Sequence, residues 1–161
     1  MTKGPSAYSR KRPPRRRDAA RTTAEGAPLP ENPGTAGNCF CLSGEAYTDC
    51  CGRFHSGGAD AATAEQLMRS RYSAFVLLDA GYLRKTWHPD TVPADLELDP
   101  AMEWRRLDIL ATHRGGPLDT EGTVEFKAHF RHDAERGVHH ETSRFVRENR
   151  RWYYVDAVLP A

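Results

Sequence analysis

Val124-Glu125-Phe126-Lys127-Ala128-His129-Phe130-Arg131 (residues 124–131) alternates apolar and polar side chains through eight positions. Successive side chains of a strand point to opposite faces, so this pattern predicts a strand with Val124, Phe126, Ala128 and Phe130 on a core and four polar groups in water. Upstream, Leu107, Ile109 and Ala111 alternate with Asp108, Leu110 and Thr112. Downstream, two further stretches, His139 to Arg147 and Arg151 to Val158, flank Asn149-Arg150, which reads as a hairpin turn. Before the strands the period changes. Thr63 followed by Gln66 is a capping box, and Leu67, Ala74, Phe75 and Leu78 recur at helical spacing, with Met68 and Tyr72 widening the face. Asp79 caps a second helix holding Tyr82 and Leu83, which is expected to run through Trp87-His88 to Pro89. A Pro- and Asp-rich connection then spans 89–100. Helices first and antiparallel strands afterwards predict an α+β domain, helices packed on one face of a curved antiparallel sheet, over 59–161.

At the other end of the chain the composition is different. Residues 1–36 carry eight Lys or Arg against three Asp or Glu, although the whole 161-residue chain has a net charge of only +1. Residues 1–38 hold six of the eleven prolines and few large apolar side chains. Such a segment buries too little apolar surface to offset the entropy of ordering, so 1–37 reads as a disordered, basic, Pro-rich tail. Its run Arg10-Lys11-Arg12-Pro13-Pro14-Arg15-Arg16-Arg17 can meet nucleic-acid or lipid phosphates without sequence preference. It also weakly imitates an organellar transit peptide. No run approaches the roughly 18 apolar residues of a spanning helix, and the N-terminus has no apolar secretory core; the expectation is a cytoplasmic protein that does not enter membranes.

All four cysteines fall between residues 39 and 51: Cys39-Phe40-Cys41, then Cys50-Cys51. Disulfides would need an oxidising compartment, and adjacent Cys50 and Cys51 bridge each other with difficulty. One structural zinc ion, taking four thiolates in a tetrahedron, suits two close pairs on a loop turned at Ser43-Gly44. A complete thiolate set has no position left for substrate. His55, four residues past Cys51, is the alternative ligand, and four metal-free thiols are a third reading.

The segment Cys39-Phe40-Cys41-Leu42-Ser43-Gly44-Glu45-Ala46-Tyr47-Thr48-Asp49-Cys50-Cys51-Gly52 resembles the SEC-C motif, a zinc-binding module found at the end of the SecA translocation ATPase and in many other bacterial proteins. The resemblance implies Cys39, Cys41, Cys50 and Cys51 as ligands in a module over 38–58. The motif usually has Gly where this chain has Leu42; if that position needs positive φ, Leu strains the turn by about 1–2 kcal/mol. Further blocks, among them Thr63-Ala64-Glu65-Gln66-Leu67-Met68-Arg69-Ser70-Arg71-Tyr72, Thr86-Trp87-His88-Pro89 and Arg151-Trp152-Tyr153-Tyr154-Val155-Asp156, are similar to the YchJ family of small bacterial proteins. That family implies a nuclear-transport-factor-2-like cone behind the zinc module, and no set activity.

A pocket inside such a cone would draw on Trp87, His88, Trp104, Glu125, Glu141, Arg144 and Asp156. His88 with Asp156 can serve as a base and its orienting acid if the fold joins them. Arg71, on or beside the apolar stripe of the first helix, is expected to pair with Glu125 or Asp156. By parity Glu141 and Arg144 lie on opposite faces of their strand. His129, His132, His139 and His140 read as surface histidines without matching acids. No nucleophile elbow, phosphate loop or dinucleotide fingerprint is present. The leading expectation is therefore a non-enzymatic adapter whose zinc module meets a protein or nucleic-acid partner. By resemblance that partner belongs to the translation or export machinery. The alternatives are an enzyme or small-ligand binder using the cone interior, and a thiol-based redox or zinc sensor. Pairing of two copies through the open sheet face is a further expectation.

Overall fold

The computed structural model describes residues 37–158; the tail expected over 1–37 lies, but for Gly37, outside the described residues. A loop from Gly37 and a short 3-10 turn at Tyr47–Asp49 lead into helix α1 (Cys51–His55), followed by α2 (Ala64–Val76) and α3 (Ala80–Lys85). Four strands complete the chain: β1 (Met102–Arg114), β2 (Glu121–His132), β3 (Glu135–Glu148) and β4 (Arg151–Ala157). They form one antiparallel sheet in the order β1-β2-β3-β4. Because each strand pairs with the next in sequence, no crossover is needed, and two-residue turns join β2 to β3 and β3 to β4. Asn149 and Arg150 both take positive φ (50° and 67°), the twist that matches a hairpin to the right-handed twist of its strands.

The helix boundaries follow from their caps. Thr63 Oγ1 accepts the Gln66 amide at 3.1 Å, and Gln66 Oε1 accepts the amide of Ala62 at 2.9 Å, one residue before the position a capping box predicts. Asp79 accepts the Tyr82 amide at 3.0 Å and starts α3. That helix stops at Lys85 and does not continue through His88. The edge of the sheet takes the chain instead: Tyr154 donates its amide to the Thr86 carbonyl at 2.9 Å, and His88 donates to the Tyr154 carbonyl at 2.8 Å. Backbone pairing along β4 displaces the last helical turn.

The inner face of the sheet packs on α2 and α3 around Leu83, Val124 and Phe145, all without solvent contact. Each strand contributes alternate residues to this core, and β2 alternates buried and half-exposed positions from Gly122 to Phe130 as its sequence predicts. Register shifts in β1 lie between Trp104 and Arg106 and between Ile109 and Ala111; a third lies in the β3–β4 pair between Arg144 and Phe145. Such bulges bend the strands and wrap the sheet around the helices. At the β1–β2 turn, Gly115 and Gly122 lie so close that a Cβ on Gly122 would run into the Gly115 backbone. This contact brings the Gly115 carbonyl to the amide of Ala64, 2.9 Å away, and ties the turn to the start of α2.

Truncating Phe145 to Ala removes the largest sealed side chain between sheet and helices. The expected loss is about 3–5 kcal/mol of unfolding free energy in a denaturant titration; a loss below about 1 kcal/mol would contradict this packing.

Candidate metal centre

The loop over 38–46 is closed by its own backbone. Asn38 bridges Ala46, the Cys39 amide donates to the Glu45 carbonyl at 2.7 Å, and the Leu42 amide donates to the Cys39 carbonyl at 3.1 Å. Leu42 and Gly44 make the reversal with φ of 61° and 90°. Gly adopts this region freely and Leu does not, so Leu42 carries the strain that its sequence position implies. The loop brings Cys39 and Cys41 over the N-terminus of α1, where Cys50 and Cys51 wait.

The four sulfurs lie within 4.8 Å of one another, and no other such group of three or more His, Cys, Asp or Glu occurs among the described residues. Cys41 Sγ is 3.6 Å from Cys50 Sγ, which is 4.0 Å from Cys51 Sγ. A tetrahedral ion with metal–sulfur bonds of about 2.3 Å has sulfur–sulfur edges of about 3.8 Å, so the donors fit a zinc-sized thiolate site. All four cysteines are free, and three of them, Cys39, Cys41 and Cys51, are buried.

Electrostatics point the same way. Hydrogen bonds from Cys41 and Cys51 pull the Cys39 thiol far below its ordinary value, and backbone amides of the same two residues add to the effect. Cys51, bound to Cys39 and Cys41 and buried, is pushed far above it. Burial pushes the Cys50 thiol up to about 11. Without a cation the cluster cannot hold four negative charges in so small a volume; a divalent ion removes that conflict.

His55 is not a ligand in this arrangement. Its Nε2 donates to the Ser70 carbonyl at 2.8 Å, so the neutral ring accepts at Nδ1 from the Tyr47 hydroxyl at 2.7 Å. The ring also stands edge-on to Tyr82, whose hydroxyl lies 2.7 Å from Ser70 Oγ. His55 therefore bolts the cysteine loop, through Tyr47, to α2. Arg69 adds a bond from Nη1 to the Cys41 carbonyl at 3.0 Å, and Ser73 Oγ lies 3.8 Å from the Cys39 sulfur. Loop and helices share one buried core in which Tyr47, Phe54, Leu67 and Met68 pack with the cysteines.

The residues expected to line a pocket are dispersed. Trp104 does face a cavity in the body, together with Tyr72, Phe75 and Arg71. Trp87 is buried beside it, edge-on to Tyr154. His88 lies at the sheet edge, 3.0 Å from Glu148 and against the Tyr153 ring. Asp156 is held at 2.9 and 3.0 Å by the Arg144 guanidinium on the outer face. No hydrogen bond joins His88 to Asp156. The reason is the bulge at Val155: Tyr154 pairs with Phe145 and Asp156 with the adjacent Arg144, so Asp156 emerges on the face opposite Tyr154. Glu125 is likewise outside, 2.8 Å from His140.

Neither acid expected for Arg71 faces it. Its buried guanidinium donates to the Leu83 carbonyl at 2.9 Å and to Thr86 Oγ1 at 2.7 Å, between the rings of Trp87 and Tyr154. His129, His132, His139 and His140 do have matching acids: Asp108 for His129, Asp99 for His132, Glu125 for His140 and Glu141 for His139. The last pair turns inward, and His139 was not among the expected pocket residues. The spacing of 139, 141, 143 and 145 on one face, ending at the fully buried Phe145, is the signal that finds it.

Three comparisons place this architecture. Residues 63–157 match the family model described as YchJ, middle NTF2-like domain. A UPF0225 protein of Streptomyces coelicolor is 54% identical over 118 residues, 73% of this chain and 92% of its own length. The solution structure of RPA3114 of Rhodopseudomonas palustris, a SEC-C motif containing protein, is 34% identical with a TM-score of 0.67, covering 77% of this chain and 99% of its own. The crystal structure of a SEC-C motif containing protein of Psychrobacter arcticus is 29% identical with a TM-score of 0.61, covering 79% and 86%. The chain belongs to the YchJ (UPF0225) family. Among the described residues no helix is long and apolar enough to cross a membrane.

Replacing His55 with Phe leaves the Ser70 carbonyl and the Tyr47 hydroxyl without their partner. Unfolding free energy is expected to fall by about 1–3 kcal/mol while metal content per chain is unchanged. Loss of metal in a variant that is still folded would make His55 a ligand and contradict the bolt.

Proposed function

We propose that this member of the YchJ family is a zinc-carrying adapter rather than an enzyme, and that its cysteine loop is the surface offered to a protein partner. Cys39, Cys41, Cys50 and Cys51 would hold one zinc ion, which fixes the loop and, with four thiolates, has a complete ligand set. The ion's contribution is shape: it neutralises the sulfurs and makes the loop rigid.

The observation that carries this reading is Leu42. Its side chain is 56% exposed at the tip of the loop, and its backbone has a φ of 61°. Glycine would remove the strain and the exposed apolar surface together, so the intramolecular fold gains nothing from a leucine here. An apolar side chain held outward at a conformational cost suits a contact made with another molecule. Beside it, the half-buried Phe40 packs edge-on to Tyr47 and extends the same apolar surface.

The partner class follows from likeness to SEC-C proteins and is the translation or export machinery. The basic run at 10–17 adds phosphate contacts to whatever complex the loop selects. Reduced cysteines as metal ligands suit the cytoplasm.

Two substitutions at one residue test this. Leu42→Gly is expected to stabilise the protein by about 1 kcal/mol. Leu42→Asp is expected to abolish co-purification of ribosomal or export-chaperone proteins and Leu42→Gly to weaken it, with metal content unchanged. Undiminished recovery with Leu42→Asp would overturn the docking role of the loop.

A further inference from the structure

The interior of the sheet carries a charged group where an apolar one would pack. Glu141 lies on the inner face of β3, and its Oε1 accepts the hydroxyls of Ser143 at 2.8 Å and Tyr154 at 2.9 Å. Its Oε2 accepts a hydrogen bond from Nε2 of His139 at 2.7 Å. Burial raises the carboxyl's pKa, but hydrogen bonds from His139 and Ser143 outweigh it and hold the group below the usual carboxylate range. Replacing such a network with apolar side chains of similar volume is often neutral or stabilising. Its presence calls for a use.

The network also fixes which side of the imidazole is available. A carboxylate only accepts, so His139 carries a proton on Nε2, and in the neutral ring Nδ1 is a lone pair. No hydrogen bond from the described residues reaches that nitrogen. The ring stands on the wall of a half-open cavity of about 40 Å³. Met68, Tyr72, Phe75, Trp104 and Phe126 supply most of the remaining wall. Space of this size holds about three water molecules.

We infer that this cavity is a binding site for a small neutral compound with a flat apolar body and one hydroxyl group, of the phenol class, whose O–H donates to Nδ1 of His139. The acceptor selects a donor. The Arg71 guanidinium lines the same cavity and offsets the charge of Glu141, so the site favours a neutral compound over an anion or a cation. Tyr72 and Trp104, whose ring centroids are 6.5 Å apart in an edge-to-face arrangement, favour a flat body. The hydroxyl and one ring edge fill the cavity, and the rest of the compound leaves through its open side. This site is independent of the docking loop and stands or falls without it.

The test titrates phenol, anisole and benzoate into the full chain and follows the Trp104 indole N–H and the His139 ring nitrogens by 15N NMR. Phenol is expected to give saturable shifts and to bind at least about tenfold more tightly than anisole, which has no donor, and than benzoate, which adds a charge. His139→Phe is expected to abolish the preference for phenol over anisole. Glu141→Gln, which keeps the shape of the network, is expected to weaken phenol at least about threefold. No saturable shift with phenol, equal binding of phenol and anisole, tighter binding of benzoate, or a preference that survives both substitutions would overturn the site.

Discussion

Four thiols within 4.8 Å of one another, most of them sealed from water, are the constraint on which the N-terminal half of the structure depends. Sulfur is a good metal ligand only as thiolate, and four thiolates in that volume repel one another unless a cation sits among them. The loop has little else to hold it. It has no regular secondary structure, and its reversal includes a leucine in a left-handed conformation. A metal ion held by the four sulfurs would supply what the backbone lacks, where the loop meets α2. The His55 bolt and the Arg69 bond to the Cys41 carbonyl tie the loop to the body. Loop and cone are thus one mechanical unit, although their sequence patterns are unrelated.

The body follows a different logic. Its sheet is a meander closed on the helices mainly by apolar residues of its inner face, and this part of the structure is largely hydrophobic in origin. The charged exceptions include Arg71 and Glu141, both on the inner side. Arg71 spans from α2 to the carbonyl of Leu83 and the hydroxyl of Thr86, locking the end of α3 against the edge of β4. Glu141 joins β3 to β4 through Tyr154 and orients His139. One of these charges makes structural sense by itself; the other leaves an oriented imidazole facing a cavity.

Much of this was legible in the sequence, for reasons that can be named. Val124 to Arg131 declares its strand because one face is buried and the other wet, and Asn149-Arg150 declares its turn because hairpins need positive φ. Thr63 and Asp79 mark helix starts through side-chain chemistry that acts within three residues. The cysteines announce a candidate metal site by spacing alone. What escaped is what depends on long-range pairing. Nothing near Trp87 says that the edge of β4 will take the chain from the helix. The extra residue at Val155 inverts the parity of everything after it, so Asp156 leaves the interior to which a period-two count assigns it. Arg71 was expected beside Glu125 or Asp156, both of which face outward. His139 was readable from its parity with Phe145, but its run of neighbouring histidines disguised it as surface.

The central claim is that sulfur alone grips one divalent ion. X-ray absorption at the zinc edge, on full-length protein purified under reducing conditions and quantified for metal, tests it most directly. The account predicts one zinc per chain with four sulfur neighbours at about 2.3 Å and no nitrogen or oxygen in the first coordination shell. A bound nitrogen or water oxygen, or folded protein without metal, would contradict it.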